Sequence, residues 1–229
     1  MIDLEIYKKK HQIIRLISSK EALECRDFCR EIVIKSESNY FPLDKDSQNF
    51  LKIINNDKRS VVLGNYLQYN FFPWNKESDS LFNLFAEFID DFLIKNLKNN
   101  YDDFIKAILL NPGERMNENF FVRIAYQRFP DISGFLDIHR DPASTYQIGA
   151  PIISLTNSNE VERGGLFYIK DDNYFKVQKD LNLGESIIFN SSWLHGVSNA
   201  HSFNGYGIEH LLLVIHAFPN SPYNELSTQ

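Results

Sequence analysis

Apolar positions change their period near the middle of the chain. In residues 79–100, "DSLFNLFAEFIDDFLIKNLKNN", Leu81, Phe82, Phe85, Phe88, Ile89 and Phe92 fall on one stripe, with Glu87, Asp90 and Asp91 off it. That spacing predicts a helix buried along one face. Residues 19–36, "SKEALECRDFCREIVIKS", repeat the pattern, with Ser18 or Ser19 placed to cap the first turn. Residues 59–72, "RSVVLGNYLQYNFF", predict a strand or a hairpin between the two helices. The basic stretch "IYKKKHQIIRLISSK" near the start reads as a solvated helix face.

From about residue 119 the segments become short, β-branched and aromatic. "NFFVRIAYQRF", "GFLDIHRD", "QIGAPIISLTNS", "GGLFYIK", "YFKVQKD", "GESIIFN" and "GIEHLLLVIHAF" are separated by Gly, Pro, Asn and Asp. Strands at this spacing predict an antiparallel sandwich or barrel. The expectation is a single α+β domain over 1–229. It comprises a mainly helical part, 1–115, followed by a β module, 116–220.

Composition narrows the function more than the fold. The 229 residues carry 19 Phe and 11 Tyr, enough for an aromatic-rich core. A net charge of -6 argues against nucleic acid as partner, because phosphate binding needs a basic surface. No apolar run approaches the roughly 18 residues of a membrane helix, and the first residues lack a signal-peptide pattern. The only cysteines, Cys25 and Cys29, share a helix face. They read as reduced structural thiols of a cytoplasmic protein.

The candidate chemistry centres on "DIHRDPAS", residues 137–144. His139-Arg140-Asp141 could open a kinase catalytic loop. That reading also needs a Gly-rich loop upstream, a later Asp-Phe-Gly and an Asn where Tyr146 stands, and none is present. The other reading is a metal site. In an extended segment His139 and Asp141 point to one face, with Arg140 as spacer. A non-haem iron site needs two His and one carboxylate on one triangular face, leaving three positions open. Among the other histidines, His195 has the best context, in "LNLGESIIFNSSWLHGVSNA". Taken alone, His139 and His195 read better as polar strand residues, and Asp141-Pro142 as a turn start.

The ordered set is an aromatic strand, H-x-D, Gly164-Gly165-Leu166, a Gly-bounded apolar strand, His195-Gly196-Val197 and a last apolar strand. In that order the sequence resembles the iron(II)/2-oxoglutarate-dependent dioxygenase superfamily over residues 119–218. The resemblance implies a double-stranded β-helix (jelly-roll) core preceded by N-terminal helices, with His139, Asp141 and His195 as ligands of Fe(2+). It implies 2-oxoglutarate and O2 as cosubstrates, and hydroxylation of an unactivated C–H in a small molecule, amino acid or peptide. Asp141 is intact, which by the same resemblance favours hydroxylation or desaturation over halogenation. Tyr126 matches an aromatic position that often lies beside the cosubstrate. Gly164 and Gly165 match a common Gly pair that permits a turn.

One departure from that pattern bears on the cosubstrate. The far carboxylate of 2-oxoglutarate is ordinarily held by an Arg or Lys soon after the distal His, yet no Arg or Lys follows Lys179. Three expectations stand. A cation arrives from another strand, with Arg123, Arg128, Arg163 and Lys170 as candidates and Arg123 and Arg163 the better placed. A protonated His210, assisted by Tyr126, takes the role. Or the protein is an iron oxygenase that does not use 2-oxoglutarate. A non-catalytic jelly-roll ligand-binding protein is the further alternative. Glu209, facing a carboxylate, would repel it.

Overall fold

The structure is a computed structural model that describes residues 9–35, 40–43, 51–55, 58–62, 64–90, 113–117, 120–140, 150–190 and 192–217. Its strands are β1 (Gln12–Arg15), β2 (Tyr40–Leu43), β3 (Leu51–Asn55), β4 (Lys58–Val62), β5 (Gly64–Phe71), β6 (Phe120–Phe129), β7 (Phe135–His139), β8 (Ile152–Ser154), β9 (Val161–Lys170), β10 (Asn173–Lys176), β11 (Glu185–Ile188), β12 (Leu194–Ser202) and β13 (Ile208–Ala217). Helix α1 is Ser19–Lys35 and the short α2 is Asp79–Leu84. One sheet runs in the order β1-β11-β8-β13-β6-β5-β7-β12-β9-β10, with β2 paired to β5, while β3 and β4 form a separate hairpin.

Strand β5 is the corner of the large sheet. Its residues Leu67 to Phe71 pair with β6, while Gly64 and Asn65 pair with β7. The sheet therefore curls on itself into a jelly-roll-like half-barrel. Its interior cluster draws Tyr66, Phe129, Ile187 and Ile208 from the larger half and Leu166, Tyr168 and Val197 from the smaller. The outer face of the larger half packs on the helices. There Tyr69, Phe71, Ile124 and Leu211 meet Ala22, Cys25, Cys29, Phe82 and Phe85. Burying each Phe in this layer stabilises the fold by roughly 1.5–3 kcal/mol.

Helix α1 begins with a reciprocal cap. The Glu21 amide donates to Ser18 Oγ and the Ser18 amide donates to the Glu21 carboxylate, which satisfies two of the amides a helix start leaves unpaired. Cys25 and Cys29 are both free and buried on the core face of α1, and burial pushes the Cys25 thiol up to about 12.

The part expected to be mainly helical, 1–115, is mixed. Five of the strands lie within it, and β1, β2 and β5 complete the large sheet. Residues 12–15 of the basic N-terminal stretch form a strand rather than a solvated helix. Ile13 pairs with Ile187 and packs on the interior cluster, while Ile14 packs on the helix-facing one. Both faces are apolar, and a strand buries both where a surface helix would bury one. The helix expected over 79–100 breaks at Phe85, whose φ of -98° and ψ of 7° leave the helical region as its ring buries. Residues 91–100 of that expectation lie outside the described residues. Of the segments expected as strands after residue 119, all seven form strands.

Candidate metal centre

His139 ends β7 and His195 lies one residue inside β12, and the antiparallel register places the two directly opposite each other. Their ring centroids are 4.3 Å apart with planes at 54°. His195 alternates with Val197, which belongs to the interior cluster, so the imidazole pair faces the half-barrel interior. His195 is buried and His139 half-buried. This close pairing depends on the glycine after His195. A Cβ at Gly196 would stand 2.6 Å from the Leu136 carbonyl oxygen, so a side chain there would push β12 off β7.

Each ring is held by its own strand. His139 Nδ1 lies 2.7 Å from the Asp137 carbonyl oxygen and His195 Nδ1 lies 2.8 Å from the Trp193 carbonyl oxygen. A carbonyl only accepts, so Nδ1 carries the proton in both neutral rings and Nε2 carries the lone pair. That is the tautomer a metal ligand needs, and a backbone carbonyl on the far nitrogen is the usual means of fixing it. Two adjacent imidazoles oriented in this way fit a divalent iron. Asp141 lies outside the described residues, and among the described residues no three His, Cys, Asp or Glu gather into a metal-binding group. Arg140, the spacer, is exposed and donates to the Ser192 carbonyl, tying the end of β7 to the segment before His195.

An aromatic wall flanks the pair. Tyr168 sits opposite His195 in register, Phe189 meets the His195 ring edge-on at 5.2 Å, and Trp193 lies 5.3 Å from Tyr168. The N-terminal segment closes over this wall. His11 Nδ1 pairs with the Tyr168 hydroxyl at 2.7 Å, and Lys170, which sits over the Trp193 ring, donates to the Lys9 carbonyl.

The candidate cosubstrate residues separate by face and by height. Val122, Ile124 and Tyr126 of β6 belong to the helix-facing cluster, so Arg123 points the other way, into the half-barrel. Its guanidinium donates to Asn70 Oδ1, which also accepts from Gln68, and Gln68 Oε1 in turn accepts from Gln127. These four side chains line the interior surface of β5 and β6. Height follows from the connections. β6 runs from Phe120 to Phe129 into the turn at 130–134, and β7 runs from that turn to His139. Arg123, near the start of β6, and His139, at the end of β7, each lie at the end of their strand away from that turn.

His210 also faces the interior, but at the other end, where it touches Phe129 and bonds Gln178 Oε1 at 2.9 Å. Complete burial lowers its pKa to about 3. The imidazole is neutral and supplies no cation for a carboxylate. Tyr126 and Glu209 lie on the helix-facing side. The Tyr126 hydroxyl donates to the Glu209 carboxylate, and Arg30 of α1 donates to both Glu209 oxygens. Desolvation, with Glu209 beside it, raises the Tyr126 pKa, so the phenol stays protonated. Glu209 thus turns away from the interior, and the repulsion it threatened does not arise. Arg163 is exposed on the outer side of β9, Arg128 bonds the Tyr206 carbonyl on the outer face of β6, and Lys170 stays at the rim. Gly164 and Gly165 have φ of 76° and 92°. Rather than making a turn, they lie inside β9, where the register with β12 shifts between Ser198 and His201.

The interior ladder of Gln68, Asn70 and Gln127 escaped the sequence reading. Its signal was present in "YLQYN", where Gln68 and Asn70 take every second position, and in "RIAYQ", where Arg123 and Gln127 fall on the same alternation with Ala125 between them.

No protein-family model matches the chain, and no curated protein matches it in sequence. Solved structures do match. A prolyl 4-hydroxylase from Pseudomonas putida aligns with a TM-score of 0.55 at 12% identity, over 89% of this chain and 91% of that one. An oxidoreductase of the 2OG-Fe(II) oxygenase family from Burkholderia pseudomallei aligns with a TM-score of 0.47 at 10% identity, over 93% and 89%. The chain therefore has the fold of the Pseudomonas putida prolyl 4-hydroxylase.

Proposed function

We propose that the protein is a non-haem iron(II)-dependent oxygenase that uses 2-oxoglutarate and O2 to hydroxylate a C–H bond of a small molecule, amino acid or peptide. The observation that carries this reading is the His139–His195 pair, with both Nδ1 atoms committed to backbone carbonyls and both rings turned inward. Two imidazoles in that tautomer, together with Asp141 from the next residues of the same segment, make the facial donor set of an iron oxygenase. Bound iron would supply the activation of O2 that no side chain can supply.

The chain's own residues bind, orient and exclude water. Arg123 takes the far carboxylate of 2-oxoglutarate, because it is a buried cation that faces the interior. Asn70 holds the guanidinium in place, and Gln68 and Gln127 extend the polar strip. Phe189, Trp193 and Tyr168 keep the imidazole pair in apolar surroundings, where charge interactions are strong.

The test is an anaerobic titration of the protein with Fe(2+) and then 2-oxoglutarate. A metal-to-ligand charge-transfer band is expected with the native chain and absent in His139→Ala. Oxygen uptake should be matched by succinate. A band that persists in His139→Ala removes the ligand assignment. Iron binding without any band on adding 2-oxoglutarate removes the cosubstrate.

A further inference from the structure

The outer face of the smaller half of the sheet carries a cavity of about 420 Å³, whose lining includes Ile132, Arg163, Tyr174, Lys176, Ser198 and His201. It does not belong to the imidazole site. Along β12, Ser198 alternates to the side opposite His195 and Val197, the register shift between Ser198 and His201 brings His201 to that same side, and both lie toward the other end of the strand. The cavity is open to solvent from outside the half-barrel.

Its lining holds two fixed cations and no acid. Two acids stand near it, and both approach the His201 ring. Glu162 Oε2 lies 2.5 Å from His201 Nδ1, and Asp131 Oδ2 lies 3.7 Å from His201 Nε2. Asp131 also accepts from the Ser202 amide and hydroxyl. Arg163 and Lys176 have no acidic partner among the described residues. Lys176 sits 6.0 Å from the Tyr174 ring. Two cations therefore face one cavity with no carboxylate turned onto them.

The floor and rim are built at a conformational cost. Gly164 and Gly165 both take positive φ, and a Cβ at Gly164 would stand 1.9 Å from the Asn199 carbonyl oxygen. The paired glycines let β9 and β12 approach closely under the cavity. On the rim, Ile132 has a φ of 65°, a region a β-branched residue rarely occupies, and is 63% exposed. Its amide donates to the Ala200 carbonyl at 2.6 Å and its carbonyl accepts from Asn199 Nδ2 at 3.2 Å. The turn thus fixes an apolar side chain beside the cations, where an unstrained turn would carry Gly or Asn. Disfavoured backbone of this kind is kept where a surface has a use for the side chain it displays.

We propose that this cavity binds a small organic anion, with its phosphate or carboxylate head on Arg163 and Lys176 and its apolar body against Ile132 and the Tyr174 ring. Arg163 then serves a site outside the half-barrel, and not the cosubstrate carboxylate for which its sequence position made it a candidate. The assignment is independent of the iron chemistry, since Arg163, Lys176, Ile132 and Tyr174 lie outside the interior cluster.

The test is a backbone amide NMR titration of the full chain with phenyl phosphate, benzoate and inorganic phosphate. Phenyl phosphate or benzoate is expected to shift the Gly164, Gly165, Ser198 and Asn199 amides saturably, with inorganic phosphate at least ten-fold weaker. Which of the two aromatic anions binds more tightly identifies the head group. Arg163→Met and Lys176→Met should each weaken binding about ten-fold, while Arg163→Lys retains most of it and shows that the loss follows the charge. Absence of saturable shifts at these four amides with both aromatic anions overturns the proposal. So does unchanged affinity in Arg163→Met, or saturable shifts confined to the neighbourhood of His139 and His195.

Discussion

Arg30 and Glu209 form a bidentate ion pair across the seam between helix α1 and strand β13. Glu209 is almost fully buried, and Tyr126 adds a third donor to the same carboxylate. The Arg30 guanidinium stacks 4.4 Å from the Tyr206 ring centroid, so its outer face is covered as well.

This seam predicts a stability effect without a loss of ligand binding. Arg30→Ala leaves a buried carboxylate with only the Tyr126 hydroxyl and should destabilise the fold by about 3 kcal/mol. Tyr126→Phe removes one hydrogen bond to a charged acceptor and should cost about 1.5–3 kcal/mol. Both effects are read by urea denaturation. Iron and 2-oxoglutarate affinities of the folded Tyr126→Phe protein should match the native values, because the phenol faces the helix. A selective loss of 2-oxoglutarate affinity would instead place Tyr126 beside the cosubstrate.

Arg123 makes the opposite prediction. It faces the interior and is buried, so its interaction with a carboxylate is shielded from water. Arg123→Gln keeps a donor for Asn70 but loses the charge. Its 2-oxoglutarate affinity should fall about ten- to one-hundred-fold, the worth of a charge-assisted pair. Fe(2+) affinity should be unchanged. Titrating the charge-transfer band with 2-oxoglutarate at saturating iron reads both, and equal affinity in Arg123→Gln would assign the carboxylate to another group.

How much of this was legible in the sequence depends on which property each residue expresses. The strand pattern after residue 119 was legible because β-branched and aromatic runs between turn residues encode pleated, half-buried surface. β12 was not expected as a nine-residue strand, since Gly196, Ser198, Asn199 and Ser202 are poor strand formers and its pairing on both sides overrides them. Residues 12–15 were hidden by the lysines just before them. His139 and His195 could be picked out by order and spacing, but their tautomers depend on carbonyls two residues back, which only the local backbone reveals. Glu209 looked hostile to a carboxylate because a sequence does not state the face of a single position. One step along β13 separates the side of Arg30 from the side of His210.

The paired glycines predict a contrast between sites of equal φ. Gly164 and Gly205 have φ of 76° and 71°, so an Ala at either meets similar backbone strain. A Cβ at Gly205 meets nothing within 4 Å, whereas at Gly164 it meets the Asn199 carbonyl at 1.9 Å. Gly205→Ala should cost about 1 kcal/mol. Gly164→Ala should cost more than twice as much, because β9 must move off β12. Thermal unfolding of the two variants side by side measures the difference, and equal shifts would mean that β12 yields without cost.

His210 sets a pH dependence whose sign follows from its burial. Its folded pKa is about 3, below the unfolded value of 6.5, so the unfolded chain binds a proton first as pH falls. Stability rises with pH wherever the unfolded state holds more protons. The contribution of this group is therefore fully present above pH 6.5 and is lost between 6.5 and about 3. At pH 5 the loss should be roughly 2 kcal/mol, from about 1.4 kcal/mol per unit over the span already crossed. His210→Leu leaves Gln178 Oε1 with the Leu166 amide as its remaining donor and lowers stability at neutral pH. What identifies the histidine is the slope. Between pH 7 and pH 5 the native protein should lose roughly 2 kcal/mol more than His210→Leu loses, measured by urea denaturation at both pH values. Parallel losses would mean that His210 is not the group whose protonation drives acid unfolding in this range.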